Sequence, residues 1–302
     1  MQRDAHGTQP PADVARCAEP GTGVTMRVAF VFSGGASLGA SQAGMLQALY
    51  EDGIRPDLLV GTSAGAINAA FVASRPSTVQ TALDLQRIWR RLKRCQVFPA
   101  NPLTAGLGVL GLKNHSVSPR SLRRLLSRHI EIDRLEDAPV DLHVLAADLL
   151  SGEEVLLSEG PTVDAVLASA AIPGVFPGIP WSSRVLVDGG IVNNTPISHA
   201  VELGAEKIYV LMAVGAGPLG GAPRGALASA VAALSHAITR RFWEDVTRYA
   251  HSVDLTILSA TRVEGIMPTD VSHADDLIAD GLSVARTILA RSDRVVQLRP
   301  AA

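Results

Sequence analysis

"LLVGTSAGAINAA" (58–70) passes from an apolar run to an alanine-rich one through Ser63, set between Gly61 and Gly65. The spacing G-x-S-x-G is what a sharp strand-to-helix turn needs to push a hydroxyl into the open. Flanking glycines tolerate backbone angles that other residues resist, and they leave room for a neighbouring strand and helix. An ordinary small-residue turn has the same spelling, so the surrounding chain has to decide.

On the N-terminal side, "MRVAFVF" (26–32) reads as a buried strand stopped by Ser33-Gly34-Gly35. "GASQAGMLQALYEDG" (39–53) reads as a helix with Ala43, Leu46, Leu49 and Tyr50 on one face, and "PDLLVG" (56–61) as a second strand. A helix from Ala64 to about Ser74 completes a strand–helix–strand–helix opening, which predicts a parallel sheet with right-handed crossovers. Further helices are expected over 78–94, over 118–130 with Ser118 as cap, over 195–205 and over 273–292. Strands are expected around the turn Ser151-Gly152 within 140–160, at 184–190, at 206–215 and at 254–258. No repeat and no linker divides the body, so residues 26–302 read as one α/β domain behind a flexible, polar tail at 1–25.

Composition removes several function classes. Of the 302 residues 47% are hydrophobic and 19% charged, which fits a compact chain with a full core rather than a disordered one. A formal net charge of −2 gives no general attraction for nucleic acid. Cys17 and Cys95 have neither metal spacing nor a disulfide framework. No apolar run reaches membrane-spanning length, and the N-terminus lacks the apolar core of a secretory signal. The expected location is cytoplasmic, with peripheral contact at a membrane as an option.

Two further motifs accompany the serine. "SGGASLGA" (33–40) is a glycine loop between strand and helix, where free backbone N–H groups can hold a phosphate or a transient oxyanion. As a nucleotide site it is incomplete: Ala40 stands where a P-loop needs lysine, and Ala36 where a dinucleotide fingerprint needs glycine. A nucleotide-binding module using Gly34–Gly39 therefore stays a minor alternative. "LVDGG" (186–190) ends a strand on Asp188 and enters two glycines. A turn-forming Asp-Gly is the plain reading of that triplet. Three glycine-cleared strand ends, however, would meet at the carboxyl edge of one sheet, where open α/β sheets place their sites.

This combination resembles the patatin-like phospholipase family from about Arg27 to about Gly215, with "ASAAIPGVFPGIP" (168–180), "NNTPISHAVELGA" (193–205) and "ADLLSGEEVLL" (147–157) as supporting stretches. The resemblance implies a three-layer α/β/α fold with a mainly parallel central sheet. It implies a Ser-Asp dyad, with Ser63 as nucleophile and Asp188 as its base, and an oxyanion hole of the backbone N–H groups of Gly34, Gly35 and Ala36. It also implies no cofactor, no metal, and a substrate that is a carboxylic ester of a lipid-like molecule.

Two positions depart from the family pattern: Ala36 replaces a third glycine, and Leu38 replaces Arg or Lys. Loss of that charge makes a neutral ester or lysolipid as good a candidate as a phospholipid. It also keeps open a catalytically silent binding or scaffold protein. His199, His236, His251 and His273 follow Asp188 in the order a triad would need, but none lies in a strand-end motif. Arg90, Arg91, Lys93 and Arg94, and then Arg120, Arg123, Arg124 and Arg128, read first as solvated helix faces. Their functional alternative is contact with anionic lipid, with the apolar stretch 103–112 as a lid.

Overall fold

The computed structural model describes residues 26–99, 115–215, 225–261 and 266–291. The expected tail at 1–25 and the lid at 103–112 lie outside them. An eight-stranded sheet is formed by β1 (Val28–Phe32), β2 (Leu58–Thr62), β3 (Asp141–Asp148), β4 (Glu154–Leu157), β5 (Ile179–Trp181), β6 (Arg184–Asp188), β7 (Lys207–Met212) and β8 (Asp254–Ser259). Its order is β5-β6-β3-β2-β1-β7-β8, with β4 paired to β3 off this path. Pairs from β3 through β2, β1 and β7 to β8 are parallel, while β4, β5 and β6 add antiparallel pairs.

The helices are α1 (Ala40–Glu51), α2 (Ala64–Ala73), α3 (Val79–Arg91), a short α4 (Arg94–Val97), α5 (Arg120–His129), α6 (Thr162–Ser169), α7 (Ile197–Glu202), α8 (Ala226–Tyr249) and α9 (Ala274–Leu289). Strand alternation sorts them into two layers. Phe30, Phe32, Leu59, Tyr209 and Leu211 turn to one face and pack with α1, α2, α3, α5, α6 and α9. Ala29, Val31, Val60, Ile208 and Val210 turn to the other and pack with α7 and α8. The result is an α/β/α arrangement with a mostly parallel central sheet.

Helix α1 departs from the one-faced reading. Ten of its twelve residues are buried, Gln42 among them, because α3 and α9 flank it as it lies on the sheet. No element is expected from the sequence at Thr162–Ser169, Ile179–Trp181 or Ala226–Tyr249, where the structure has α6, β5 and α8. Register then assembles the site. Leu145 of β3 pairs with Thr62, and the next residue, Ala146, pairs with Asp188. Adjacent residues of one strand thus carry the ends of β2 and β6 together.

Candidate active site

Ser63 joins β2 directly to α2 with φ 55° and ψ −124°, a backbone conformation that a β-carbon disfavours. Its surroundings hold it there. The Ser63 N–H donates to Ser169 Oγ at 2.8 Å, and Ser169 Oγ donates in turn to the Leu145 carbonyl at 2.5 Å. The Ser63 carbonyl accepts the N–H groups of Ala66 and Ile67 at 3.0 and 3.2 Å. A Cβ on Gly65 would lie 2.3 Å from the Phe32 carbonyl oxygen, so α2 can lean on β1 only because that residue is glycine.

Asp188 closes β6 and enters a 3-10 turn over Gly189–Ile191. Its Oδ2 accepts the Ser63 hydroxyl at 2.7 Å and its Oδ1 accepts the Gly190 N–H at 2.8 Å. Both side chains are buried. Burial pushes the Asp188 carboxyl up to about 6, against the lowering effect of the bonds from Ser63 and Gly190. It is therefore a stronger base than a free aspartate yet largely ionised at neutral pH.

The glycine loop lies alongside. A Cβ on Gly34 would stand 3.2 Å from Ser63 Cβ and 2.3 Å from Asn194 Oδ1. One expected donor is changed: the Gly34 N–H already donates to the Asn194 carbonyl at 3.0 Å, because the turn after Gly189–Ile191 presses that carbonyl onto the loop. The N–H groups of Gly35 and Ala36 donate to no acceptor among the described residues. Ala36 has φ 50°, a glycine-favouring conformation held by an alanine. Leu38, the second departure, is buried in the core of the groove-side layer.

Several residues that sequence reading left out hold this loop. Asn194 directs Nδ2 to the Gly34 carbonyl at 3.3 Å. Gln42 Nε2 donates to the carbonyls of Ser33 and Leu211 at 2.8 and 2.9 Å. Asn68 Nδ2 donates to Gln42 Oε1 at 2.8 Å and to the Gly39 carbonyl at 3.0 Å, and Asn68 Oδ1 accepts the Trp89 indole N–H at 3.0 Å. Gln42 and Asn68 are fully buried, so each bond is worth more than at the surface and each loss would leave a stranded polar group. The only sequence signal was polar residues on otherwise apolar helices.

From Ser63 a narrow apolar groove runs between α2, α3 and α5. Ile67 and Phe71 line one wall, Ile88 and Trp89 another, and Leu122 and Phe176 a third. Its polar exceptions near the dyad are Ser37, Ser63 and Asn68, and His129 lies toward the α5 side.

Among the described residues no histidine bonds to Ser63 Oγ or the Asp188 carboxylate. Ser63 Oγ and the Asp188 carboxylate bond to each other and to the Gly190 N–H. His199 is held by Glu154 at 2.7 Å and Glu202 at 3.3 Å in the α7 layer, and His273 by Asp270 and Asp276. Asp148 caps its own turn by accepting the Leu150 N–H at 2.9 Å. Among the described residues no group of three His, Cys, Asp or Glu is placed to hold a metal ion. No helix among them is long and apolar enough to cross a membrane. Of the basic residues, Arg90 pairs with Asp275 and Arg123 with Asp164.

The model of the patatin-like phospholipase family matches residues 30–201, more than half of the chain. The chain belongs to the patatin-like phospholipase family. Within it, the chain is 29% identical over 202 residues to patatin-like phospholipase domain-containing protein 6 of Mus musculus, covering 66% of this chain and 14% of that protein. It is 30% identical over 177 residues to an uncharacterized NTE family protein of Mycobacterium tuberculosis, covering 55% of this chain and 27% of that one. Among solved structures it is similar to VipD from Legionella pneumophila, with a TM-score of 0.49, 15% identity, and coverage of 87% of this chain and 67% of that chain. The chain thus spans about a seventh of the length of the first of these family relatives.

Proposed function

We propose that the protein is a serine hydrolase that cleaves carboxylic esters of lipid-like substrates through an acyl-Ser63 intermediate. The observation that carries this reading is the 2.7 Å hydrogen bond from Ser63 Oγ to Asp188 Oδ2 at the end of an apolar groove. Serine is a weak nucleophile until a neighbour accepts its proton, and a carboxylate near 6 is suited to that task at neutral pH.

In the first step Oγ bonds to the ester carbonyl carbon as its proton passes to Asp188 Oδ2. The carbonyl oxygen becomes an oxyanion facing the N–H groups of Gly35 and Ala36, each donor worth about 3–4 kcal/mol to the barrier. Collapse breaks the bond to the alcohol oxygen, which leaves with the proton from Asp188. Water then gives a proton to Asp188 as its oxygen bonds to the acyl carbon. The Oγ–acyl bond breaks, and Oγ takes the proton back, releasing the carboxylic acid. Each methylene seated in the groove contributes about 0.8 kcal/mol, so longer acyl chains are favoured until the groove is full.

The test is hydrolysis of p-nitrophenyl esters of increasing chain length by the wild type, Ser63→Ala and Asp188→Asn. Medium or long chains cleaved by the wild type, and by neither variant, is the expected result. Near-normal activity in Asp188→Asn would overturn the dyad, and an inactive wild type would favour the silent binding protein.

A further inference from the structure

Beside the acyl groove lies a second cleft, and the two share Phe71, Ile88, Leu92, Leu125 and His129 in their walls. Beyond those shared residues the lining turns charged, with Arg75, Arg87, Arg91 and Arg128 facing Asp84 and Glu131. Four guanidinium groups meet two carboxylates. Arg75 is paired with Glu131 and Arg87 with Asp84, whereas Arg91 on α3 and Arg128 on α5 have no carboxylate partner among the described residues. The change of character is abrupt: the Arg75 guanidinium sits 3.9 Å from the centroid of the Phe71 ring, which lines both clefts. Burial, with Arg128 and Arg75 beside it, holds His129 below its ordinary pKa, so that ring brings no extra charge at neutral pH.

An acyl chain with its carbonyl at Ser63 would follow Ile67 and Phe71, residues four apart on one face of α2. Eight residues of helical rise place Phe71, where the two clefts adjoin, about 12 Å along α2 from Ser63, the reach of a medium-length chain. A methyl end that arrives there meets guanidinium groups. A carboxylate end would instead meet planar donors matched to it on two opposed helices.

Resting on the hydrolase reading above, we propose that this cleft is a subsite for an anionic acyl end, and that the preferred substrates are esters whose acyl chain carries a terminal carboxylate. A flat anionic lipid surface fits less well. Arg91 and Arg128 line a concave cleft that adjoins the groove, a shape suited to one carboxylate rather than to a flat field of phosphates.

The experiment compares p-nitrophenyl half-esters of hexanedioic, nonanedioic and dodecanedioic acids with the matching monocarboxylic esters, read as a ratio of kcat/KM at each length. At one length the carboxylate-ended ester should lead by about ten-fold, the size of one charge-assisted hydrogen bond. That ratio should fall toward one in Arg91→Gln/Arg128→Gln and with added salt. The ratio is internal to each variant, so a change in the amount of folded enzyme does not move it. In Ser63→Ala, which cannot turn over, nonanedioate should bind about ten-fold more tightly than nonanoate by calorimetry. Monocarboxylic esters cleaved with no preference at any length would overturn this inference and leave the hydrolase standing. No cleavage of either series would overturn the hydrolase, and equal binding of the two acids would then remove the subsite too. If the double variant loses only pelleting with phosphatidylglycerol vesicles, the cleft is a lipid-phosphate surface and the proposal fails.

Discussion

Ser63 and Ala36 are two non-glycine residues at the carboxyl edge of the same sheet, and both carry positive φ, 55° and 50°. Their surroundings are opposite. Ser63 is bonded through its N–H, its carbonyl and its hydroxyl, to Ser169, to Ala66 and Ile67, and to Asp188. Ala36 offers an N–H that donates to no described residue, and its loop is tied down through its neighbours, among them Gly34 to Asn194, Ser37 to Pro268 and Leu38 to Gly35. Strain at the serine is over-determined, as the proposed nucleophile requires. Strain at the alanine is tolerated, and its free amide is the donor the proposed mechanism uses. One position is locked to aim a side chain, the other suspended to present a backbone.

The strongest way to break this contrast is to remove the serine's partner. Asp188→Asn keeps the shape and deletes the base, so kcat/KM should fall by about 10⁴-fold. The wild-type profile should fall below an apparent pKa of about 6, where Asp188 takes up its proton. Stability should move the other way. The folded carboxyl titrates near 6 rather than at 3.8, so the native state binds more protons between those values and loses stability as pH rises through them. Above pH 6 the ionised group costs roughly 3 kcal/mol, so Asp188→Asn should melt higher than wild type at pH 8 and lose that advantage at pH 4. Equal melting shifts at both pH values would show that burial does not strain this carboxylate.

Second in size is Gly65→Ala. A methyl 2.3 Å from the Phe32 carbonyl must push α2 off β1, at a cost of about 3 kcal/mol of unfolding free energy, read by denaturant titration, and most of the activity. A stable, active variant would mean that the elbow is not held by contact at all.

Asn68→Leu sharpens the comparison from the loop side. It leaves Gln42 Oε1 and the Trp89 indole without their partners while the dyad stays intact. Expected is a fall in kcat of about 10- to 100-fold with KM within about three-fold, the signature of a group acting on the transition state through another. Asn68→Asp, which keeps an acceptor for Trp89, should recover part of the loss. A change in KM alone would reduce Asn68 to a groove-lining residue.

What was legible beforehand follows the same division. Gly61–Gly65, Gly34-Gly35 and Asp188-Gly190 are local spellings, each a strand end with clearance built into five residues or fewer, and the strands buried on both faces announced themselves as apolar runs. The supporting shell is not local. Ser169 meets Ser63 across 106 residues and Asn194 meets Gly34 across 160. Nothing in their own neighbourhoods separates them from ordinary helix and turn residues. Asn194 sits just ahead of the helix that Pro196 begins, a place where an asparagine ordinarily caps, while its amide serves the Gly34 carbonyl. The expected Gly34 donor failed for the same reason, since its acceptor is the carbonyl of that distant asparagine.

The smallest effect belongs to Ala36→Gly, the substitution toward the family pattern. An alanine at φ 50° stores about 1 kcal/mol, and glycine releases it. Glycine also loosens the unfolded chain, by about 0.4–1 kcal/mol. The two nearly cancel, so the denaturant midpoint should barely move. The N–H keeps its direction because Gly35, Ser37 and Leu38 still fix the loop, the last through its bond to the Gly35 carbonyl at 3.0 Å. Turnover of a medium-chain ester should therefore stay within about three-fold of wild type. A ten-fold rise would mean that the Ala36 methyl, which lines the groove beside Ser63, had crowded the oxyanion. A ten-fold fall would mean that the methyl had been restraining the donor. Either result would move Ala36 from a suspended position to an aimed one and erase the distinction from Ser63.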